Sequence, residues 1–261
     1  DPTSIHKNIE VHCPIVGDCK AALEGILHLM EDQKTDDLKN NRPQWLDQIE
    51  EWKSTTPLKY NQGSEVIKPQ FVVEKLYELT KGDAIITTEV GQNQMWAAQY
   101  YHFNKPNHFI TSGGLGTMGF GLPAAIGAKA ACPDKLVVDV AGDGSIQMNI
   151  QELMTAVESK IDVKIVILNN QYLGMVRQWQ ELFYEKVYSF TNMENTPDFV
   201  KLAEAYGAKG LRCTRPDEVE SVLSQGLNHE GTVIMEFAVD KEESVYPMVP
   251  AGGSNTEMLL V

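Results

Sequence analysis

The stretch from Leu136 to Trp179, LVVDVAGDGSIQMNIQELMTAVESKIDVKIVILNNQYLGMVRQW, leaves the chain few choices of fold. Leu136–Ala141 is a short apolar run stopped by Gly142-Asp143-Gly144, the pattern of a buried strand feeding a tight turn. Ile150, Leu153, Met154 and Val157 then recur at helical spacing, and Val163–Leu168 is a second, β-branched run stopped by Asn169-Asn170. Strand, helix and strand with short connections make a βαβ unit, whose two strands lie parallel. Both polar turns therefore fall at the carboxyl ends of neighbouring strands, where open α/β sheets bind ligands.

The residue types in those turns point to a particular chemistry. Asp143 supplies a hard anionic oxygen and Asn170 a neutral carbonyl oxygen. The glycines flanking Asp143 let the backbone approach a charged ligand with its N–H groups free. One carboxylate with amide and main-chain carbonyls offers too little oxygen for a calcium cage. It suits Mg²⁺, which keeps waters and substrate phosphates in its octahedron. Taken singly, Gly-Asp-Gly is a common β-turn and Asn-Asn a common loop. Their pairing at adjacent strand ends favours a Mg²⁺-diphosphate site.

Along the rest of the chain, Asp1–Gly17 has an apolar patch at Ile15-Val16 and little else. Ala21–Met30 reads as a helix with Leu23, Ile26, Leu27 and Met30 on one face, and Glu31–Asn41 as a charged, exposed stretch. Pro43 opens a second helix carrying Trp45, Leu46, Ile49 and Trp52, followed by a loop over Lys53–Ser64. A larger domain starts near Glu65, with a helix from Pro69 that buries Phe71, Val72, Leu76 and Leu79. Ala84–Thr88 is its first strand, and the turn Glu89–Gln94 lies at that strand's carboxyl end. Thr111–Gly119 is a glycine-rich turn before the small-residue helix Leu122–Ala131. Its GGLGTMG does not match the dinucleotide fingerprint G-x-G-x-x-G, and it precedes the strongest strand. Pro197–Tyr206 and Pro216–Asn228 read as helices, Ala208–Cys213 and Thr232–Val239 as strands. The fold class is α/β, a doubly wound parallel sheet of about six strands with helices on both faces. Pro247–Val261 reads as a disordered tail or mobile lid.

A net charge of −14 argues against nucleic acid and anionic membrane surfaces as partners. No apolar run approaches the about 18 residues a membrane span needs. Cys13, Cys19, Cys132 and Cys213 show no ligand spacing and read as reduced cytoplasmic thiols. His102 and His108, without a partner at ligand spacing, read as surface or core residues. The start on Asp1 suits an excised fragment.

Gly-Asp-Gly, some two dozen residues, then Asn-Asn resembles the thiamine diphosphate motif. NNQYLGMVRQWQELFYE together with TSGGLGTMGFGLPAAIGA (Thr111–Ala128) is similar to the catalytic large subunit of acetohydroxyacid synthase, or acetolactate synthase. The likeness covers nearly the whole chain but only the last part of that subunit. It implies a cofactor-binding set of Gly91, Gln92, Gly116, Met118, Gly142, Asp143, Gly144, Ser145, Asn170, Tyr172, Leu173, Gly174 and Met175. Within that set, Asp143, Asn170 and the main-chain carbonyl of Tyr172 hold Mg²⁺, and Gly91 and Gln92 meet the diphosphate. Met118 is the apolar wedge that bends the cofactor; from composition alone it is core filling. Met175 and Trp179, four apart on one helix, line the substrate pocket, the tryptophan selecting the second keto acid; spacing alone makes them core.

The resemblance further implies decarboxylation of pyruvate and condensation with a second 2-keto acid, pyruvate or 2-ketobutyrate, in branched-chain amino acid biosynthesis. Residues 1–18 resemble the tail of a preceding, FAD-associated domain, 19–64 linker helices, and 65–261 the cofactor domain. FAD then belongs to the full-length enzyme only. A homodimer and a small regulatory subunit are implied as partners. The family commonly has histidine where Asn93 stands; asparagine cannot titrate there. The glutamate that activates the cofactor lies in a partner subunit's N-terminal domain, with no counterpart here; Glu89 sits at the wrong end. The expectation is a half-site, inactive alone. Other thiamine diphosphate enzymes, a keto-acid decarboxylase or pyruvate oxidase, share both turns, and a non-catalytic docking domain is the reading from another class.

Overall fold

The computed structural model describes residues 1–31, 42–55 and 58–260. The chain divides into two compact units, Asp1–Lys59 and Tyr60–Val261. In the first, a 3₁₀ turn at Pro2–Ser4 precedes helices α1 (Cys19–Glu31) and α2 (Pro43–Thr55), neither of which buries a residue. Leu23, Ile26, Leu27 and Met30 share a face as their spacing predicts, but that face is exposed. Trp45 and Trp52 meet edge to face at 5.5 Å. Of the charged stretch expected over Glu31–Asn41, Glu31 ends α1 and is exposed, and residues 32–41 lie outside the described residues. Helix α2 extends through Thr55, so the loop expected from Lys53 begins later.

The second unit is built on a six-stranded, wholly parallel sheet. Its strands are β1 (Ile85–Thr88), β2 (Phe109–Ile110), β3 (Val137–Gly142), β4 (Lys164–Asn169), β5 (Lys209–Cys213) and β6 (Val233–Ala238). They lie in the order β2-β1-β3-β4-β6-β5. The chain steps outward from β1 to β2, then crosses back to place β3 on the other side of β1. That reversal opens a crevice between the carboxyl ends of β1 and β3, the usual ligand position in such sheets.

Because side chains alternate along a strand, the central strands feed two cores. Val138, Val140, Val166, Leu168, Met235 and Phe237 pack on one face against α3 (Pro69–Thr80), α4 (Gln92–Tyr100) and α9 (Val219–Leu227). Val137, Ala141, Ile165, Ile167 and Ile234 pack on the other. There they meet α5 (Gly121–Ala131), α6 (Glu152–Glu158) and α8 (Phe199–Ala205). The doubly wound expectation thus holds.

Local departures have local causes. Asp198 caps α8, its side chain accepting from Val200 and Lys201 N–H, so that helix starts at Phe199 rather than Pro197. Pro216 opens a 3₁₀ turn, Pro216–Glu218, and α9 follows it. Helix α6 turns Leu153 and Ala156 inward with Ile150 packed beside them, so the buried stripe follows the i, i+3 positions and leaves Met154 exposed. The tail pairs with itself through Met248 and Leu259. No described helix is long and apolar enough to cross a membrane.

Candidate functional site

A cavity of about 240 Å³ lies at the carboxyl ends of β1, β3 and β4. Three turns close around it. Gly91 and Gln92 come from the turn after β1, Gly142–Ser145 from the turn after β3, and Asn170 and Tyr172–Met175 from the turn after β4. Gly116 and Met118 reach it from the glycine-rich loop before α5. Every cofactor-binding residue expected from the sequence therefore lines one cavity. The N-termini of α4 and α7 (Gly174–Phe183) open onto it, an arrangement that favours an anion. Trp179 is not among the lining residues. It borders an adjoining apolar groove with Val176 and Phe183 and is 48% exposed.

The two asparagines at the end of β4, Asn169 its last residue and Asn170 the next, separate because a strand's side chains alternate. Asn169 turns away, donating to Glu236 at 2.8 Å and accepting from Gln171 N–H at 3.1 Å. Asn170 turns to the cavity; its Oδ1 accepts from Tyr172 N–H at 3.1 Å, and its Nδ2 donates to Gln92 Oε1 at 3.1 Å.

Asp143 is 1% exposed, and its Oδ2 has no hydrogen-bond partner among the described residues. Burial pushes its carboxyl up to about 7, against the opposing pull of backbone N–H groups of Asp143, Gly144 and Gln171. A buried, orphaned carboxylate oxygen is costly unless a cation or proton meets it. The donors nearby are hard and oxygen-rich, and no group of three or more His, Cys, Asp or Glu gathers among the described residues. One carboxylate, one amide oxygen and a main-chain carbonyl fit Mg²⁺ completed by phosphate and water.

Glu89 is fully buried and its carboxylate is spoken for. It accepts from Gly119 N–H at 2.8 Å, Leu122 N–H at 3.1 Å and the Ser145 hydroxyl at 2.5 Å. It knits the turns after β1 and β3 to the end of the glycine loop. Gly119 itself has a φ of 85°, and a Cβ there would lie 2.8 Å from Met148 Cβ, so glycine is required. Asn93 donates to the carbonyls of Glu89 at 3.0 Å and Val140 at 2.8 Å, bracing β1 against β3.

Three buried polar residues had no sequence signal of their role. Arg177 and Gln178, both on α7, are 2% and 0% exposed. Arg177 pairs with Glu181 at 2.7 Å and donates to the Glu242 carbonyl at 2.9 Å. Gln178 exchanges two hydrogen bonds with the backbone of Val245, at 2.8 and 2.9 Å. Asp139, wholly buried on β3, accepts from Thr87 Oγ1 at 3.1 Å, and its carboxyl lies well above the usual range through burial and the neighbouring Glu89 charge.

A family model described as thiamine pyrophosphate enzyme, C-terminal TPP binding domain, matches residues 89–237. The chain is 51% identical over 263 residues to the acetolactate synthase isozyme 3 large subunit of Escherichia coli K12, covering 100% of this chain and 46% of that protein. It is 49% identical to the acetolactate synthase large subunit of Haemophilus influenzae, over 100% of this chain and 45% of that one. With chloroplastic acetolactate synthase 1 of Nicotiana tabacum it shares 42% identity, over 99% and 40%. The chain spans less than half the length of these relatives. With the three turns meeting at one cavity and the matched segment spanning all of them, the chain belongs to the thiamine pyrophosphate enzymes, as their C-terminal cofactor-binding domain.

Proposed function

We propose that this chain is the cofactor-holding part of an acetolactate synthase large subunit, which condenses pyruvate with a second 2-keto acid in branched-chain amino acid biosynthesis. The observation that carries the reading is the orphaned Oδ2 of Asp143 in a cavity shared with Asn170 and Tyr172. Asp143, the Asn170 amide oxygen and the Tyr172 carbonyl would hold Mg²⁺. Gly144 and Ser145 would offer N–H groups to a diphosphate, and Met118 an apolar support for its rings. Thiamine diphosphate, when bound, supplies the carbanion chemistry at its own carbon. The protein's part is to position, to neutralise phosphate charge and to exclude water. Met175 lines the cavity, and Trp179 in the adjoining groove would meet the side chain of the second keto acid.

Glu89 does not serve as the activating acid, since its carboxylate oxygens are bound to Gly119, Leu122 and Ser145. The site is therefore a half-site, completed by the N-terminal domain of a partner catalytic subunit in a homodimer. Residues 1–18 would close a preceding FAD-associated domain, and 19–64 would link it to the cofactor domain. FAD, a small regulatory subunit and a cytoplasmic setting belong to the longer enzyme.

Product analysis tests the reading. The full-length parent, given pyruvate, Mg²⁺ and thiamine diphosphate, is expected to release acetolactate; acetaldehyde or acetate instead would assign it to the decarboxylases or oxidases. Acetolactate formed by the 261-residue chain alone would overturn the half-site.

A further inference from the structure

Asparagine is an awkward cation ligand. Its oxygen and nitrogen are almost the same size, and only one of them can face a cation. Something must set the sense of the Asn170 amide: Tyr172 N–H, donating to its Oδ1, sets it from one side, and a relay of buried side-chain amides holds it from the other. Asn170 Nδ2 donates to Gln92 Oε1 at 3.1 Å. Gln92 Nε2 in turn donates to Gln178 Oε1 at 3.0 Å and to the Glu243 carbonyl at 3.0 Å. Gln178 is anchored on Val245, whose N–H donates to Oε1 at 2.8 Å and whose carbonyl accepts from Nε2 at 2.9 Å.

The Val245 end admits one sense only. A main-chain N–H cannot accept and a carbonyl cannot donate, so turning Gln178 over would set donor against donor and acceptor against acceptor. Gln178 then fixes Gln92, and Gln92 reinforces from the Nδ2 side the sense that Tyr172 N–H sets at Oδ1 of Asn170. All three are at least nine-tenths buried, at 0%, 3% and 5% exposure, so water offers little relief to a reversed amide. The packing leaves no slack either. A Cβ on Gly174 would overlap Gln92 Oε1 and lie 2.8 Å from Asn170 Nδ2.

We infer that Gln92 is a positioning residue: through the relay from Val245 and Gln178 it holds the Asn170 amide oxygen toward the cation beside Asp143. The inference rests on the Mg²⁺-diphosphate reading above. Tyr172 N–H takes one lone pair of that oxygen, and the second remains for the cation. The C-terminal segment around Val245 thereby contributes to metal binding without touching the metal.

The test is a double-mutant cycle on the full 261-residue chain, measuring Mg²⁺ affinity by calorimetry at fixed thiamine diphosphate. Gln92→Met is expected to weaken Mg²⁺ by about tenfold when residue 170 is asparagine, a loss of the size typical of a disturbed supporting hydrogen bond. With Asn170→Asp, whose two oxygens need no orienting, the same change is expected to cost less than about twofold. Equal losses in both backgrounds would assign Gln92 to packing and overturn the inference, as would no loss beside Asn170. Should Gln92→Met fail to fold, Gln178→Leu, which frees Gln92 to turn over, must weaken Mg²⁺ in the same asparagine-dependent way. A wild-type chain that binds neither Mg²⁺ nor thiamine diphosphate overturns the underlying reading, and the inference with it.

Discussion

The carboxylate of Glu89 accepts the amide hydrogen of Gly119 at 2.8 Å, so the residue following Met118 is tied to the turn that follows β1. Two strands' ends and the loop preceding α5 are thereby held as one frame. Glu89→Ala strands Leu122 N–H and the Ser145 hydroxyl hydrogen in a dry interior and leaves Gly119 N–H only Ser145 Oγ, at 3.2 Å. Each unmet buried donor costs roughly 1–3 kcal/mol. The expected net loss is about 3 kcal/mol, a fall of roughly 6–12 °C in melting temperature for a domain of this size. Glu89→Gln, which keeps one acceptor oxygen, should lose less. Thermal unfolding of the ligand-free chain checks both, and an unshifted melt for Glu89→Ala would contradict the bracing role.

Asp139 makes stability depend on pH. Its folded carboxyl sits well above 3.8 because burial, then the Glu89 charge, disfavour ionisation more than Thr87 supports it. The folded state thus binds a proton that the unfolded state releases. The contribution of Asp139 to stability is greatest below about pH 3.8 and falls as pH rises above it, by up to about 1.4 kcal/mol per unit until the folded group ionises. Asp139→Asn removes this dependence. The melting temperature of the variant minus that of wild type should therefore grow between pH 5 and pH 8; a constant difference would mean that Asp139 is already ionised in the fold.

Trp179 is half-exposed, so it adds little to the core. Trp179→Ala should cost less than about 1 kcal/mol in stability. In the full-length parent the same substitution should shift the ratio of products when pyruvate and 2-ketobutyrate compete. An unchanged ratio would remove Trp179 from substrate selection.

Gly174 carries its prediction in the space it leaves. Adding one methyl group pushes Gln92 off Asn170, so Gly174→Ala should weaken Mg²⁺ binding by more than about tenfold. Titration of Mg²⁺ against the variant checks this, and wild-type affinity would show that the relay shifts without consequence.

Much of this was legible because the site sits where strands stop. Gly142-Asp143-Gly144 and Asn169-Asn170 punctuate apolar runs, and a parallel sheet brings such stops together. The first core strand, the glycine loop and the helix from Pro69 were legible for the same reason. The edge strand Phe109–Ile110 was not, since two residues carry no periodicity. Nor was the company Gln92 keeps within the protein: its side-chain amide meets Asn170, Gln178 and the Glu243 carbonyl, far away in sequence. Arg177 and Gln178 escaped because polar residues on a helix read as wet, and only the C-terminal segment folding over them makes them buried.

The most direct measurement is a thermal melt of the chain with Mg²⁺ and thiamine diphosphate, repeated with Asp143→Ala. A ligand that binds only the folded state stabilises it by about 2.7 kcal/mol at a hundred times its dissociation constant. For a domain of this size that is a rise of roughly 5–10 °C. The cofactor site described above requires that rise in wild type and its disappearance in Asp143→Ala. No rise in wild type, or an equal rise in the variant, would contradict it.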